Sequence, residues 1–325
     1  MNRKQTIIAL ASLALVVVCL FLFFKKDPVP ETPIERRVSA KSLKIGVIPT
    51  TECLPFLVAD RLGLADSMGL DLHVELFHSC MDADTAFLRH RIDGITTDMV
   101  KLGIWGSHGE PVVGVMGGTW HLAALTTRQS RISSPSNLKE KIVAITRNSC
   151  LDMYADLMME KANLESVDLN KPQINDLRIR YRMVEQNELD GAILPPPWSE
   201  MCLRKGCRLI SDYSELAGMS NNFALVFNDS LLSRRKADVK KLIKVYNSSV
   251  DYIKRHKIFK SQYFFSLLGI DTYTPPQLLC TERLTHAVPL SEESLEAGLA
   301  WSRSRDLVGK ERTDSLLSTE YLTSK

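Results

Sequence analysis

Three short segments constrain this chain more than anything else in it: Ile45-Gly-Val-Ile-Pro-Thr-Thr-Glu-Cys53, Val74-Glu-Leu-Phe-His-Ser-Cys-Met-Asp-Ala-Asp84 and Asp93-Gly-Ile-Thr-Thr-Asp98. In each, a short apolar run of strand-like character ends in small, polar or acidic residues, and a helical pattern follows. Successive units of this kind build a parallel α/β sheet, and their turns line up along the carboxyl edge of the strands, where small ligands bind. The same unit recurs after residue 140, at Ile142–Thr146 followed by Arg147-Asn-Ser-Cys150. Two α/β lobes with a polar cleft between them are therefore expected, each a mixed sheet flanked by helices.

The remaining pattern fits that plan. Strands are expected at Leu43–Ile48, Leu72–Phe77, Gly94–Thr96 and Val112–Met116, with helices at Leu54–Leu64, Met81–His90 and Met99–Ser107 between them. Trp120–Thr127 reads as a strand leaving the first lobe, with Trp120 and His121 read as hinge packing ahead of the alternative, ligand contact. In the second lobe the helices Leu151–Ala162 and Leu177–Asn187 precede the strand Gly191–Leu194, which Pro195-Pro-Pro stops because proline cannot donate to the ladder. A helix over Glu200–Arg204 and a strand over Arg208–Ile210 follow. Asn222–Phe227 reads as the strand that crosses back. Helices over Ala237–His256, Phe259–Leu268, Pro276–Arg283 and Glu292–Ser304 then pack on the first lobe. The expected organisation is 1–26 as a membrane segment, 27–42 as a tether, 43–120 with 228–325 as one lobe, and 121–227 as the other.

Residues 6–24 form an uninterrupted apolar stretch of about 19 residues, long enough for a helix to span a bilayer. It runs straight into Lys25 and Lys26 without a small-residue cleavage site, so an uncleaved anchor fits better than a cleaved signal. A lipoprotein reading at Cys19 conflicts with Val18, which stands where a small residue is needed. Basic residues on both flanks leave the orientation undecided. The formal net charge of +3 is spread along the 325 residues, with no basic run interleaved with aromatics, so nucleic acid is excluded as a partner. Six cysteines follow the apolar segment. They permit disulfides, with Cys202–Cys207 and Cys53–Cys80 as the candidate pairs, and they fit equally well as small buried hydrophobes. A soft-metal site at Cys53, Cys80, Cys150 and His78 lacks short ligand spacing, so no metal and no cofactor are expected.

The order of elements resembles the periplasmic solute-binding proteins of ABC importers, closest to the nitrate/sulfonate/taurine and thiamine-precursor branch with the type 2 periplasmic-binding fold. The resemblance covers about residues 43–310 and rests on Leu43-Lys-Ile-Gly-Val-Ile-Pro with Leu54-Pro-Phe-Leu-Val-Ala-Asp-Arg-Leu-Gly-Leu, on Gly69-Leu-Asp-Leu-His-Val-Glu-Leu-Phe, on Asp82-Ala-Asp-Thr-Ala-Phe-Leu-Arg-His-Arg-Ile-Asp-Gly-Ile, and on Ser136-Asn-Leu-Lys-Glu-Lys-Ile-Val-Ala-Ile. Arg147-Asn-Ser-Cys150 departs from the Gly or Ser common at the second-lobe turn. The resemblance implies a monomeric, non-enzymatic binder on the periplasmic side of the cytoplasmic membrane, with an ABC permease and ATPase as partners. Two alternatives share the fold: a membrane-tethered sensor, and a synthase of the thiamine pyrimidine, whose contiguous cysteines are missing here.

The residues expected around the ligand are Thr51, Glu52, Cys80, Asp82, Thr97, Asp98, Arg147, Asn148, Ser149 and Trp198. Helix N-termini and Arg147 favour an anion, whereas Glu52, Asp82, Asp84, Asp98, Asp152 and Glu200, all at or just beyond the pocket turns, favour a cation or a donor-rich heterocycle if two or three of them face the cleft, unless they only cap helices. The sequence leans towards a nitrogenous ligand. Trp198 is a candidate flat wall for a ring, or else packs in the core.

Overall fold

Strand β1 (Leu43–Val47) buries Leu43, Ile45 and Val47 on one face, and Gly46 on the other face is buried too, which suits the middle of a parallel sheet covered on two sides. In the computed structural model, residues 39–213, 219, 221–309 and 316–322 are described. The apolar segment 6–24 and the tether up to residue 38 lie outside the described residues. Among the described residues no helix is long and apolar enough to cross a membrane.

The strands run in chain order as β1, β2 (Leu72–Leu76), β3 (Gly94–Asp98), β4 (Val112–Gly118), β5 (Ala123–Thr126), β6 (Val143–Ala144), β7 (Gly191–Leu194), β8 (Arg208–Asp212) and β9 (Phe223–Asn228). They form two sheets, ordered β2-β1-β3-β9-β4 and β6-β7-β5-β8. In the first, β1 pairs in parallel with β2 and β3, while β9 runs antiparallel between β3 and β4. In the second, β6 and β7 are parallel, and β5 is antiparallel to both β7 and β8. The chain thus leaves the first sheet after β4 and returns through β9, and both sheets are mixed.

The helices are α1 (Leu54–Arg61), α2 (Leu64–Ser67), α3 (Cys80–Leu88), α4 (Met99–Ser107), α5 (Cys150–Lys161), α6 (Leu177–Glu185), α7 (Trp198–Arg204), α8 (Asp229–His256), α9 (Ser261–Leu267) and α10 (Glu292–Ser304). Most start at a side-chain cap that satisfies an otherwise unpaired N–H: Ser79, Asp98, Ser149, Asp176, Asn228 and Ser291 cap α3, α4, α5, α6, α8 and α10. Those caps end the strand-like runs and fix where each turn points.

Four expectations need correction. The helix expected over Leu54–Leu64 ends at Arg61, because Gly63 takes φ +70° and a separate short helix follows. Pro276–Arg283 forms two 3-10 turns rather than a helix, joined at Cys280 with φ +48°. The helix expected from Ala237 starts at Asp229, where Asn228 caps it, and it is kinked at Arg235. The candidate disulfides do not form: all six cysteines described are free thiols. Cys53 points into the first-lobe core and bonds the Thr96 hydroxyl at 3.3 Å, away from Cys80. Cys202 and Cys207 are neighbours linked by a thiol hydrogen bond.

Two chain crossings join the sheets. They are tied side by side by Asn222, whose amide accepts from Trp120 N at 2.6 Å and donates to Trp120 O at 2.9 Å. The Trp120 ring packs edge-on against Phe223 at 5.5 Å. α10 adds a third tie. It packs on α4 of the first lobe and reaches α5 of the second, where Trp301 Nε1 donates to Asp156 Oδ2 at 3.0 Å and Arg305 pairs with the same carboxylate at 3.3 Å.

Candidate functional site

Asp98 is the residue around which the site is organised. It ends β3 in extended conformation (φ −121°, ψ 164°), so its carboxylate turns back over the first turn of α4. Oδ1 accepts from Lys101 N at 3.0 Å and, across the gap between the lobes, from Cys150 N at 3.1 Å. One carboxylate therefore caps α4 in the first lobe and touches the first N–H of α5 in the second. It is 2% exposed. Burial pushes its pKa up to about 6, against the pull of the Lys101 charge and the amides of Lys101 and Cys150.

Lys101 lies one turn further along α4 and pairs with Asp84 of α3. Burial opposes its charge, but the Asp84 carboxylate paired with it, together with Asp98, outweighs that and raises its pKa, so it stays an ammonium. On the other side stands Arg180 of α6, with no exposed surface. Its guanidinium donates to Ile193 O at 2.8 Å, to Ile174 O at 2.9 Å and to the Thr146 hydroxyl at 2.7 Å. Among the described residues no carboxylate forms an ion pair with it, and burial lowers its pKa to about 10. A buried cation held by neutral acceptors leaves a positive potential behind it.

Asp84, Asp98 and Lys101, but not Arg180, line a cavity of about 20 Å³ between the two sheets. Thr97, Asp98, Lys101 and Trp120 line it from the first lobe and the crossing, and Thr146, Ser149 and Leu177 from the second. Cys80, at the start of α3, also faces it. The starts of α3, α4, α5 and α6 thus converge on one space, each bringing N–H groups and a positive helix end. Trp120 is 4% exposed, and its indole N–H has no hydrogen-bond partner among the described residues. An unpaired buried donor is costly unless something arrives to accept from it. The Cys80 and Cys150 thiols are pushed up, in both cases mainly by burial, so neither is a thiolate at neutral pH. Neither thiol therefore offers an ionised nucleophile to the cavity.

Of the residues read from the sequence, Cys80, Thr97, Asp98 and Ser149 line this cavity. Ser149 caps α5 and donates to Thr146 O at 2.6 Å. Asp82 is exposed on α3 and points away. Arg147 and Asn148 are also exposed and line an outer hollow that adjoins the cavity through Asp84, Lys101 and Thr146, and the Arg147 guanidinium reaches Lys171 O at 3.4 Å. Trp198 is not a free wall for a ring: it is 3% exposed, and Nε1 donates across the lobes to Pro49 O at 2.7 Å. Thr51 N donates to Pro196 O at 3.0 Å beside it, and the Thr51 hydroxyl donates to Leu279 O at 2.8 Å.

Glu52 is buried at the same interface but does not line the cavity. Neither carboxylate oxygen closes a hydrogen bond of normal geometry. Burial raises its pKa to about 7, only partly offset by the amides of Glu52 and His121, the Thr50 hydroxyl and the Arg283 charge.

Lys101, Arg180 and Thr146 were not read from the sequence, whereas Asp84 was among the acids placed at the pocket turns and Trp120 was read as hinge packing ahead of ligand contact. A signal existed for Arg180. It falls three residues after Leu177 and four before Val184, on the buried stripe of α6.

A family model described as NMT1/THI5 like matches residues 50–257. A search of curated proteins finds no match. Among solved structures, the alkanesulfonate-binding protein SsuA from Xanthomonas axonopodis pv. citri, bound to MOPS, is 14% identical with a TM-score of 0.72, covering 87% of this chain and 100% of that one. The periplasmic aliphatic sulphonate binding protein SsuA from Escherichia coli is 16% identical with a TM-score of 0.68, covering 88% and 95%. The ligand-binding component of an ABC-type import system from Staphylococcus aureus, with zinc bound, is 13% identical with a TM-score of 0.70, covering 86% and 97%. At such identities the likeness establishes the two-lobed periplasmic-binding fold.

Proposed function

The chain belongs to the NMT1/THI5-like family, and from that premise we propose that it is the solute-binding component of an ABC-type importer. It captures a small polar solute between its lobes by hinge closure and hands it to a membrane permease driven by an ATPase partner. It works on the periplasmic side of the cytoplasmic membrane, held there by residues 6–24. The observation that carries this reading is the enclosed meeting point of four helix starts from both lobes, where a buried indole N–H waits for an acceptor.

The same observation favours a solute with an acceptor-bearing, anionic head over a cation. Lys101 is offset by Asp84, but Arg180, one layer behind Thr146, is a buried cation with no carboxylate ion pair among the described residues, and the helix ends add to its field. Of the acids that argued for a cation, Glu52 and Asp82 stand outside the cavity, while Asp84 and Asp98 line it; Asp84 is paired with Lys101, and burial raises the pKa of Asp98 to about 6. Sulfonates, the ligands named for two of the similar structures, are of the favoured kind. A cavity of about 20 Å³ holds roughly one water-sized group, so even the four-atom head of a sulfonate calls for a wider separation of the lobes.

The test is a thermal-shift screen of the full-length protein in detergent against sulfonates, nitrate, bicarbonate, aminopyrimidines, thiamine, polyamines and transition metals. A ligand that binds only the folded state raises the melting temperature by mass action, by ~2.7 kcal/mol of stability at a hundred times its Kd. A selective rise with one anionic class is expected. Trp120→Phe should weaken that ligand about tenfold, the value of one hydrogen bond to a charged group. A rise with polyamines or metals alone would refute the reading.

A further inference from the structure

The corner between α8 and α9 carries a composition that neither the cavity nor the core explains. Its sequence is Lys254-Arg-His-Lys-Ile-Phe-Lys260. Ile258 is 66% exposed and Phe259 is 89% exposed, adjacent on a turn that projects beyond the last turn of α8. Lys254, Arg255 and Lys257 are exposed around them, and Lys260 sits over the Tyr252 ring at 5.7 Å. Among the described residues none of these four cations forms a salt bridge, and the segment 254–260 contains no acid. We propose that this corner is a membrane-surface contact, which seats Ile258 and Phe259 among the headgroups of an anionic lipid leaflet.

Part of the charge has a simpler cause. Lys254, Arg255 and His256 stand in the last turn of a long helix, where cations complement the dipole. That account covers neither Lys257 and Lys260 nor the apolar pair. Two large apolar side chains left in water on one turn gain nothing within the fold. They are also too few for a stable protein interface, which needs on the order of 1,000 Å² of buried surface. Insertion into a lipid interface has no such threshold, because each side chain partitions by itself. The basic ring supplies the matching charge: each lysine or arginine near an anionic surface strengthens attachment about fivefold. The long basic side chains can reach the phosphates while their stems lie along the apolar pair.

The contact is tested in the full chain reconstituted into vesicles, with a readout local to the corner, because residues 6–24 hold the protein on any bilayer in this reading. Phe259→Trp places an indole at the tip, and brominated lipids quench an indole that enters the interface. The signal of the unmodified chain, measured in parallel, removes the contribution of the four native tryptophans. Phe259→Trp should melt like the unmodified chain, since position 259 buries almost nothing. In vesicles of equal phosphatidylglycerol and phosphatidylcholine the added emission should shift to the blue and be quenched. In phosphatidylcholine alone it should be neither. Adding Lys254→Glu and Lys257→Glu should weaken the contact at least about 25-fold, five for each charge. If the melting temperature of Phe259→Trp falls, Ile258→Trp serves as the second probe. Added emission that is unquenched in both lipids, in a chain that is folded and seated in the vesicle, overturns the proposal. Equal quenching in both lipids overturns the electrostatic part, and with it the choice of an anionic leaflet.

Discussion

Replacing Glu52 with glutamine should flatten the pH dependence of stability, and the size of the effect follows from the environment of the side chain. Glu52 is 7% exposed, and its oxygens close no hydrogen bond of normal geometry. Its pKa rises from an ordinary 4.5 to about 7. A carboxyl with a folded pKa above its unfolded one holds its proton more readily in the native state. Its share of stability is complete below about pH 4.5 and is lost as pH climbs through about 7. A rise of that size corresponds to about 3 kcal/mol between the two limits. At about 2 °C per kcal/mol for a chain of this size, the unmodified protein should lose about 6 °C more than Glu52→Gln between pH 5 and pH 8.5. Asp98 and every other titrating group are present in both proteins and cancel in the comparison. So does any constant offset from the glutamine amide. The assay is a melting-temperature series without ligand at fixed ionic strength. Parallel curves for the two proteins would show that Glu52 ionises in the native state as easily as in water, and would refute the burial argument.

Lys101→Met leaves the carboxylates of Asp84 and Asp98 without their cation. It should cost about 3 kcal/mol in urea unfolding at pH 7.5, with a smaller loss at pH 5, where Asp98 takes up a proton. Trp198→Phe keeps the ring but removes the donor to Pro49 O. Closure should weaken by about 1 kcal/mol, read as a larger radius of gyration in small-angle scattering and about fivefold weaker solute binding. In Gly191→Ala the new Cβ would lie 2.4 Å from the Leu125 carbonyl oxygen on the neighbouring strand. A backbone atom in a paired strand cannot step aside, so a loss of about 1–3 kcal/mol is expected in the same unfolding assay.

The parts of this fold legible in the sequence are those in which a local cap and a periodic pattern agree. The helices Met99–Ser107 and Glu292–Ser304 have the bounds read from the residues, because Asp98 and Ser291 stop one pattern and start another. The strand Gly191–Leu194 is bounded just as sharply by the three prolines that follow it. The break at Gly63 was missed because one glycine in an apolar run does not reveal that it will adopt positive φ. The cavity was harder to read, since side-chain direction decides it. Asp82 and Asp84 are two residues apart on one helix, which turns them about 200° from each other. Asp82 faces solvent and Asp84 meets Lys101. Lys101 and Arg180 were passed over because long charged side chains are rarely fully buried. Only the tertiary partners, one carboxylate for Lys101 and three neutral acceptors for Arg180, make their burial tolerable.

The two crossings tied by Asn222 have a mechanical consequence for the proposed opening. They meet the first sheet at β4 and β9, so distance from that line is counted in strands, at about 4.8 Å each. Asp98, on β3, is one strand away. Pro49, after β1, is two away, and Ser79, which bridges to Asp176 after β2, is three. One turn of about 20° about the crossings would part these contacts by about 2, 3.5 and 5 Å in that order, since each lever arm is longer than the last. Release would therefore run like a zip from the β2 edge inwards, and whatever rests against Asp98 would be the last to meet water.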